Sequence, residues 1–154
     1  MNPADCFSEI KTKSTELVLY LENLISSQNL PWQEHFGFEA IPIDNQWIER
    51  ELSLKEVNKI HLIKQLGLLK IPSKSFYNWH VDDFRQSCIK NSYYHNNIIE
   101  LKYNPFTYYL FNTQKKHAVV NLDCKDRYLL SLYFEEETSY DILRNKLQST
   151  LINE

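Results

Sequence analysis

His80 and Asp82 stand two residues apart in the run Tyr77-Asn78-Trp79-His80-Val81-Asp82-Asp83. On an extended strand, residues i and i+2 project from one face, so this imidazole and this carboxylate can grip a single ion together. A third donor comes from Lys116-His117-Ala118-Val119-Val120-Asn121, which reads as a separate β segment. Two neutral imidazoles and one carboxylate make the facial ligand set that leaves positions open on Fe(II) for a co-substrate and dioxygen. By itself the set fits several metals. Each member also has a plainer role: a hydrogen-bonded core histidine for His80 or His117, a turn cap for Asp82 beside Asp83.

The flanking residues carry more. Trp79-His80-Val81-Asp82-Asp83-Phe84-Arg85 leads into Ser87-Cys88-Ile89-Lys90-Asn91, and His117-Ala118-Val119-Val120-Asn121 is followed by Asp126-Arg127 and then Leu129-Leu130-Ser131-Leu132. From about Lys74 to Phe134 this pattern resembles the Fe(II)/2-oxoglutarate-dependent oxygenase superfamily, nearest in motif to its aspartyl/asparaginyl β-hydroxylase-like members. The resemblance implies a double-stranded β-helix (jelly roll, cupin-like) core. It implies Fe(II) as the metal, 2-oxoglutarate as co-substrate, and His80, Asp82 and His117 as the catalytic ligands.

It also implies a carboxylate-binding role for Arg127, because in that family a basic residue about ten positions after the distal His takes the far carboxylate of 2-oxoglutarate. A bidentate guanidinium suits that task. Arg85 stands where some relatives place a second Arg on the co-substrate or a substrate acid, and Asn91, alternating with Tyr93, can face the cofactor. The plainer readings are an exposed strand residue for Arg85, ordinary strand polarity for Asn91, and an ion pair with Asp126 for Arg127. Not all of the aspartyl/asparaginyl group keep the acidic ligand, so Asp82 points to the wider superfamily.

Arg127 sets a condition on the fold. In a simple hairpin of 117–122 with 127–135 it would lie beside residue 122, roughly 17 Å along the strand from His117. That is too far for a short dicarboxylate. If the chain instead crosses to a second sheet, the two strands face each other across about 10 Å and the ligand can bridge them.

The implied reaction is oxidative decarboxylation of 2-oxoglutarate to succinate and carbon dioxide, coupled to hydroxylation of a C–H bond of an amino acid or peptide side chain. The 34 residues between Asp82 and His117 leave little room for substrate-covering loops. The site is then open, or completed by another subunit in a homodimer. Competing readings are a cupin-like metal enzyme that does not use 2-oxoglutarate and a non-catalytic β-sandwich, a binding or virion-associated module with a residual site.

The elements that must position these residues read as α+β, mainly β, in one 154-residue domain. Ile10, Leu17, Leu21, Leu24 and Ile25 recur near helical spacing and predict a helix over residues 3–27. Residues 38–43 read as a strand that Pro42 confines to a sheet edge. Ser53-Leu54-Lys55-Glu56 reads as a capping box opening a helix that closes at Gly67. Residues 1–67 thus form a helical support with an edge strand. In the β core, 68–135, short runs rich in Ile, Val, Tyr and Phe alternate with Asn, Asp, Lys and Pro, predicting strands at 68–71, 76–82, 86–94, 98–103, 106–112, 117–122 and 127–135. A last helix spans 138–151, capped by Thr138 or Ser139.

Composition narrows the function classes. A net charge of -3 gives no electrostatic footprint for nucleic acid. No apolar run approaches the roughly 20 residues of a membrane helix. Cys6, Cys88 and Cys124 lack the close pairing of a thiolate zinc site and read as reduced thiols. With no secretory leader visible, the expectation is a cytoplasmic protein.

Overall fold

The computed structural model of the chain describes residues 7–10, 16–27, 29–35, 38–80, 104–105, 107–115 and 117–148, with the backbone alone at 77–80. The elements are β1 (Phe7–Ile10), α1 (Glu16–Ser26), β2 (Gln33–His35), β3 (Phe38–Ile43), α2 (Gln46–Arg50), α3 (Leu52–Ile60), β4 (Ile63–Ile71), β5 (Ser75–His80), β6 (Tyr108–Phe111), β7 (His117–Asn121), β8 (Arg127–Phe134) and α4 (Tyr140–Leu147). The protein is therefore mixed α and β, with strands predominating among the described residues and every ladder antiparallel.

The main sheet runs in the order β2-β3-β4-β8. Its register sets Leu66 between Ile43 and Leu132, and Leu68 between Ile41 and Leu130. The side-chain period of two puts these residues on one face. That face meets Leu17 of α1, Trp47 and Ile48 of α2, Leu54 and Val57 of α3, and Leu143 and Leu147 of α4 in a continuous buried cluster. Alternate positions of β8, beginning with Arg127, point to the opposite face, where Ile71 opposes Arg127, Leu69 opposes Leu129 and Gly67 opposes Ser131. Two smaller ladders, β1 with β6 and β5 with β7, complete the described strands.

Several expectations are corrected. Of the residues predicted as a helix over 3–27, Glu16–Ser26 are helical, whereas Phe7–Ile10 forms a strand paired with Tyr108–Phe111. Ile10 is buried there opposite Tyr108, and Phe7 packs edge-on against Tyr109 at 6.5 Å. A partner about a hundred positions away along the chain is invisible to a local periodicity. The capping box does not form. Glu51 is the N-cap residue of α3, the Ser53 hydroxyl donates to its carboxylate at 2.8 Å, and Glu56 pairs with Lys59 instead.

That helix also stops at Ile60 rather than Gly67. The Asn58 carboxamide oxygen accepts from the Ile63 N–H at 2.7 Å and closes the turn into β4. Ile63, Leu66, Leu68 and Ile71 keep their apolar character but spend it on a central strand flanked by β3 and β8. Gly67 lies mid-strand under the Tyr133 ring, where an added Cβ would come 2.8 Å from Tyr133 Cε2. The stretch 1–67 thus contributes three whole strands and part of a fourth, beyond helical support.

Residues 38–43 are a strand as expected, but β3 is interior to the sheet. β2 reaches only to Ala40, so the missing N–H of Pro42 falls where the β2 side is open. The strands read at 76–82, 106–112, 117–122 and 127–135 appear as β5 to β8, whereas 86–94 and 98–103 lie outside the described residues. Ser139 caps α4, accepting from the Ile142 N–H at 3.3 Å. No described helix is long and apolar enough to cross a membrane.

Burial pushes the Tyr108 hydroxyl up to about 12, although a hydrogen bond with Ser53 favours its ionised form. The native state then holds this proton more tightly than the unfolded chain, whose tyrosines titrate near 10. The stability tied to Tyr108 is complete below about pH 10 and is lost as pH rises toward 12. Urea unfolding across that range should show a steeper fall for the wild type than for Tyr108→Phe. At neutral pH, Leu66→Ala, which empties a fully buried core position, should cost about 2–5 kcal/mol.

Candidate functional site

The ladder of β5 with β7 pairs Ser75 with Asn121, Phe76 with Val120 and Tyr77 with Val119. A bulge then shifts the register so that His80 stands directly opposite His117. β7 reads His-Ala-Val-Val-Asn, with its first and last residues buried and Val120 exposed. Two of the three expected ligands are therefore cross-strand neighbours in the backbone.

The turn before β7 orients His117. Asn112 starts it: its side-chain oxygen accepts from the Gln114 N–H at 3.2 Å, and its carbonyl accepts from the Lys115 N–H at 3.1 Å. This presents the Lys115 carbonyl 2.8 Å from His117 Nδ1. A carbonyl only accepts, so Nδ1 carries a proton, and in the neutral ring Nε2 is then the basic nitrogen. Phe111 meets the imidazole edge-on, with centroids 5.0 Å apart and planes at 88°.

The turn after β7 delivers Arg127. Asn121 is 1% exposed, and its side-chain nitrogen lies 3.1 Å from the Ile71 carbonyl, 3.1 Å from that of Pro72 and 2.9 Å from that of Lys125. Its side-chain oxygen accepts from the Asp123 N–H at 3.2 Å. From the outer side, Asp126 accepts from the Ser73 N–H at 2.9 Å and the Asp123 carbonyl accepts from Lys74 N–H at 3.1 Å. The chain thus leaves the β5–β7 ladder and enters the main sheet as β8 beside Ile71. The simple hairpin of β7 with β8 is not formed.

The Arg127 side chain is half-buried and makes no ion pair or hydrogen bond among the described residues. Its plainer reading named Asp126 as partner, but that carboxylate serves the Ser73 N–H and, at 3.8 Å, Lys70. Lys70 also pairs with Glu39 at 3.1 Å, and that hydrogen bond is the chief cause of its raised pKa.

Asp82, Arg85 and Asn91 lie outside the described residues. Among the described residues no group of three His, Cys, Asp or Glu converges as a metal cage. A groove of about 190 Å³ runs along Ala40, Pro42, Gly67 and Tyr133, six residues up β8 from Arg127 and so roughly 20 Å away. It is no part of the candidate site.

Sequence reasoning missed Asn112, Phe111 and above all Asn121. The signal for Asn121 was an Asn ending an apolar strand ahead of the polar turn Asp123-Cys124-Lys125-Asp126. No protein-family model, curated protein or solved structure matches the chain.

Removing the buried amide withdraws the two N–H donors shared among three carbonyls, so Asn121→Ala should lose about 2–4 kcal/mol in chemical denaturation. Asn121→Asp should lose more at neutral pH, where a carboxylate would face those oxygens, and recover on acidification as the protonated acid becomes a donor. Asp126→Ala, at an exposed position, should cost no more than about 1 kcal/mol.

Proposed function

We propose that the chain is an Fe(II)- and 2-oxoglutarate-dependent dioxygenase that hydroxylates a C–H bond of an amino acid or a peptide side chain. The observation that carries this reading is the register that opposes His80 and His117 while Arg127 begins a strand of the other sheet. Directly opposed residues of an antiparallel pair have Cβ atoms about 4.5–5.5 Å apart, a separation one ion can span. Asp82 follows His80 by two positions and supplies the carboxylate. The nested pairing of β4 with β8 and β5 with β7 across two sheets supports a double-stranded β-helix, since it matches the outermost strands of a jelly roll.

The described residues fit the implied groups. Metal-binding imidazoles commonly donate their second nitrogen to a carbonyl, which fixes tautomer and ring orientation. His117 does this through Lys115. A half-buried guanidinium that makes no ion pair among the described residues suits a dicarboxylate.

In this mechanism His80, Asp82 and His117 would hold Fe(II), and Arg127 would hold the far carboxylate of 2-oxoglutarate, with Arg85 and Asn91 as further candidates for binding it. When bound, this pair supplies oxidation by dioxygen, with 2-oxoglutarate released as succinate and carbon dioxide. The chain's own part is orientation and exclusion of water. The Lys115 carbonyl keeps the His117 proton on Nδ1, and the Phe111 ring covers one flank of the imidazole.

Anaerobic titration of the protein with Fe(II) and 2-oxoglutarate should give the weak visible charge-transfer band of the chelate. Arg127→Ala should weaken 2-oxoglutarate binding at least about tenfold, the worth of one charge-assisted hydrogen bond, while metal binding persists. Absence of the band from the wild type would falsify the assignment. Full 2-oxoglutarate affinity in Arg127→Ala would favour a metal enzyme that does not use this co-substrate. Succinate release across a panel of amino acids and peptides then identifies the substrate.

A further inference from the structure

We propose that Asn121 is the positioning residue for 2-oxoglutarate, setting where Arg127 stands relative to His117; this rests on the function proposed above. The argument is one of connectivity. His117 opens β7 and Asn121 closes it, so the two share one rigid strand. The Asn121 amide bonds to Ile71, the residue directly opposite Arg127 in the main sheet, and to Lys125, two residues before Arg127. Its third acceptor, Pro72, lies in the turn from β4 to β5, the strand that carries His80.

One buried carboxamide therefore touches both connections through which the chain passes between the β5–β7 ladder and the main sheet. A dicarboxylate bridging a metal at His117 and the guanidinium of Arg127 samples the distance between those two sheets. The pairing of His80 with His117 is made within one ladder and does not run through that amide. Loss of the amide should consequently loosen Arg127 against the metal and leave the two imidazoles in register.

The test uses Mn(II) as a redox-silent stand-in, with Mn(II) affinity read by EPR and 2-oxoglutarate affinity at saturating Mn(II) read by calorimetry. Asn121→Ala is expected to raise the Kd for 2-oxoglutarate about tenfold and to change that for Mn(II) by no more than about twofold. Leu54→Ala, a core lesion in α3 of comparable cost to stability, should change neither. Such a split is not what general loosening of the fold produces.

Equal 2-oxoglutarate affinity in wild type and Asn121→Ala overturns the positioning role and leaves the oxygenase reading intact. Parallel weakening of both ligands, or the same split in Leu54→Ala, also overturns it. A wild type that binds no 2-oxoglutarate overturns the underlying reading. If Asn121→Ala does not fold, Asp126→Ala loosens the same turn from its exposed side and should raise the 2-oxoglutarate Kd about threefold with Mn(II) unaffected. An unchanged Kd there counts against the proposal.

Discussion

The Asn121 side chain is the point on which the junction between the two ladders depends. A backbone that leaves one sheet for another strands its carbonyls at the crossing, and buried carbonyls without donors cost more than most single contacts provide. Here two crossings fall side by side, one at Ile71 and Pro72 and the other at Lys125. A single carboxamide serves both, with its oxygen taking the Asp123 N–H of its own turn. Few side chains could replace it. Ser and Thr are too short, and Asp and Glu present oxygens where donors are needed.

Around this junction the molecule divides its labour between the two faces of the main sheet. The face bearing Leu66 and Leu68 is committed to the helices and supplies the buried cluster. The opposite face carries Ile71, Leu129 and Arg127 and adjoins the junction that leads to β5 and β7. A cationic side chain tolerates that second face because it lies at the first residue of β8 and is only half-buried. The guanidinium thus stands at the rim of the sheet, where polarity is cheap and the neighbouring ladder is close.

The turns on either side of β7 show how local chemistry is converted into orientation. Both begin with an Asn that ties down its own loop, Asn112 before the strand and Asn121 at its end. The first fixes the Lys115 carbonyl and so selects the tautomer of His117. The second fixes Lys125 and hence the entry of Arg127 into β8. Neither residue contacts a metal or a co-substrate in this scheme, yet each decides how a neighbouring side chain is presented.

The sequence by itself determined the strands that end in recognisable turns. Residues 38–43, 117–122 and 127–135 are short apolar and aromatic runs bounded by polar turn residues, as strands require, and Ser139 ahead of Tyr140-Asp141-Ile142 marks a helix start through its own hydroxyl. The order of the candidate ligands His80, Asp82 and His117 along the chain was equally plain, with Asp82 outside the described residues. Tertiary structure alone decided what needed a distant partner. Phe7–Ile10 became a strand because Tyr108–Phe111 lay beside it, and Ile63–Ile71 left the helix period because β3 and β8 flanked it. The opposition of His80 to His117 depends on a bulge, and the departure of Arg127 into another sheet depends on carbonyls from two stretches far apart in the chain, Ile71-Pro72 and Lys125. The physical reason is the range of the forces involved. Turn chemistry and side-chain period act within a few residues, whereas ladder pairing and burial reward contacts that no local stretch contains.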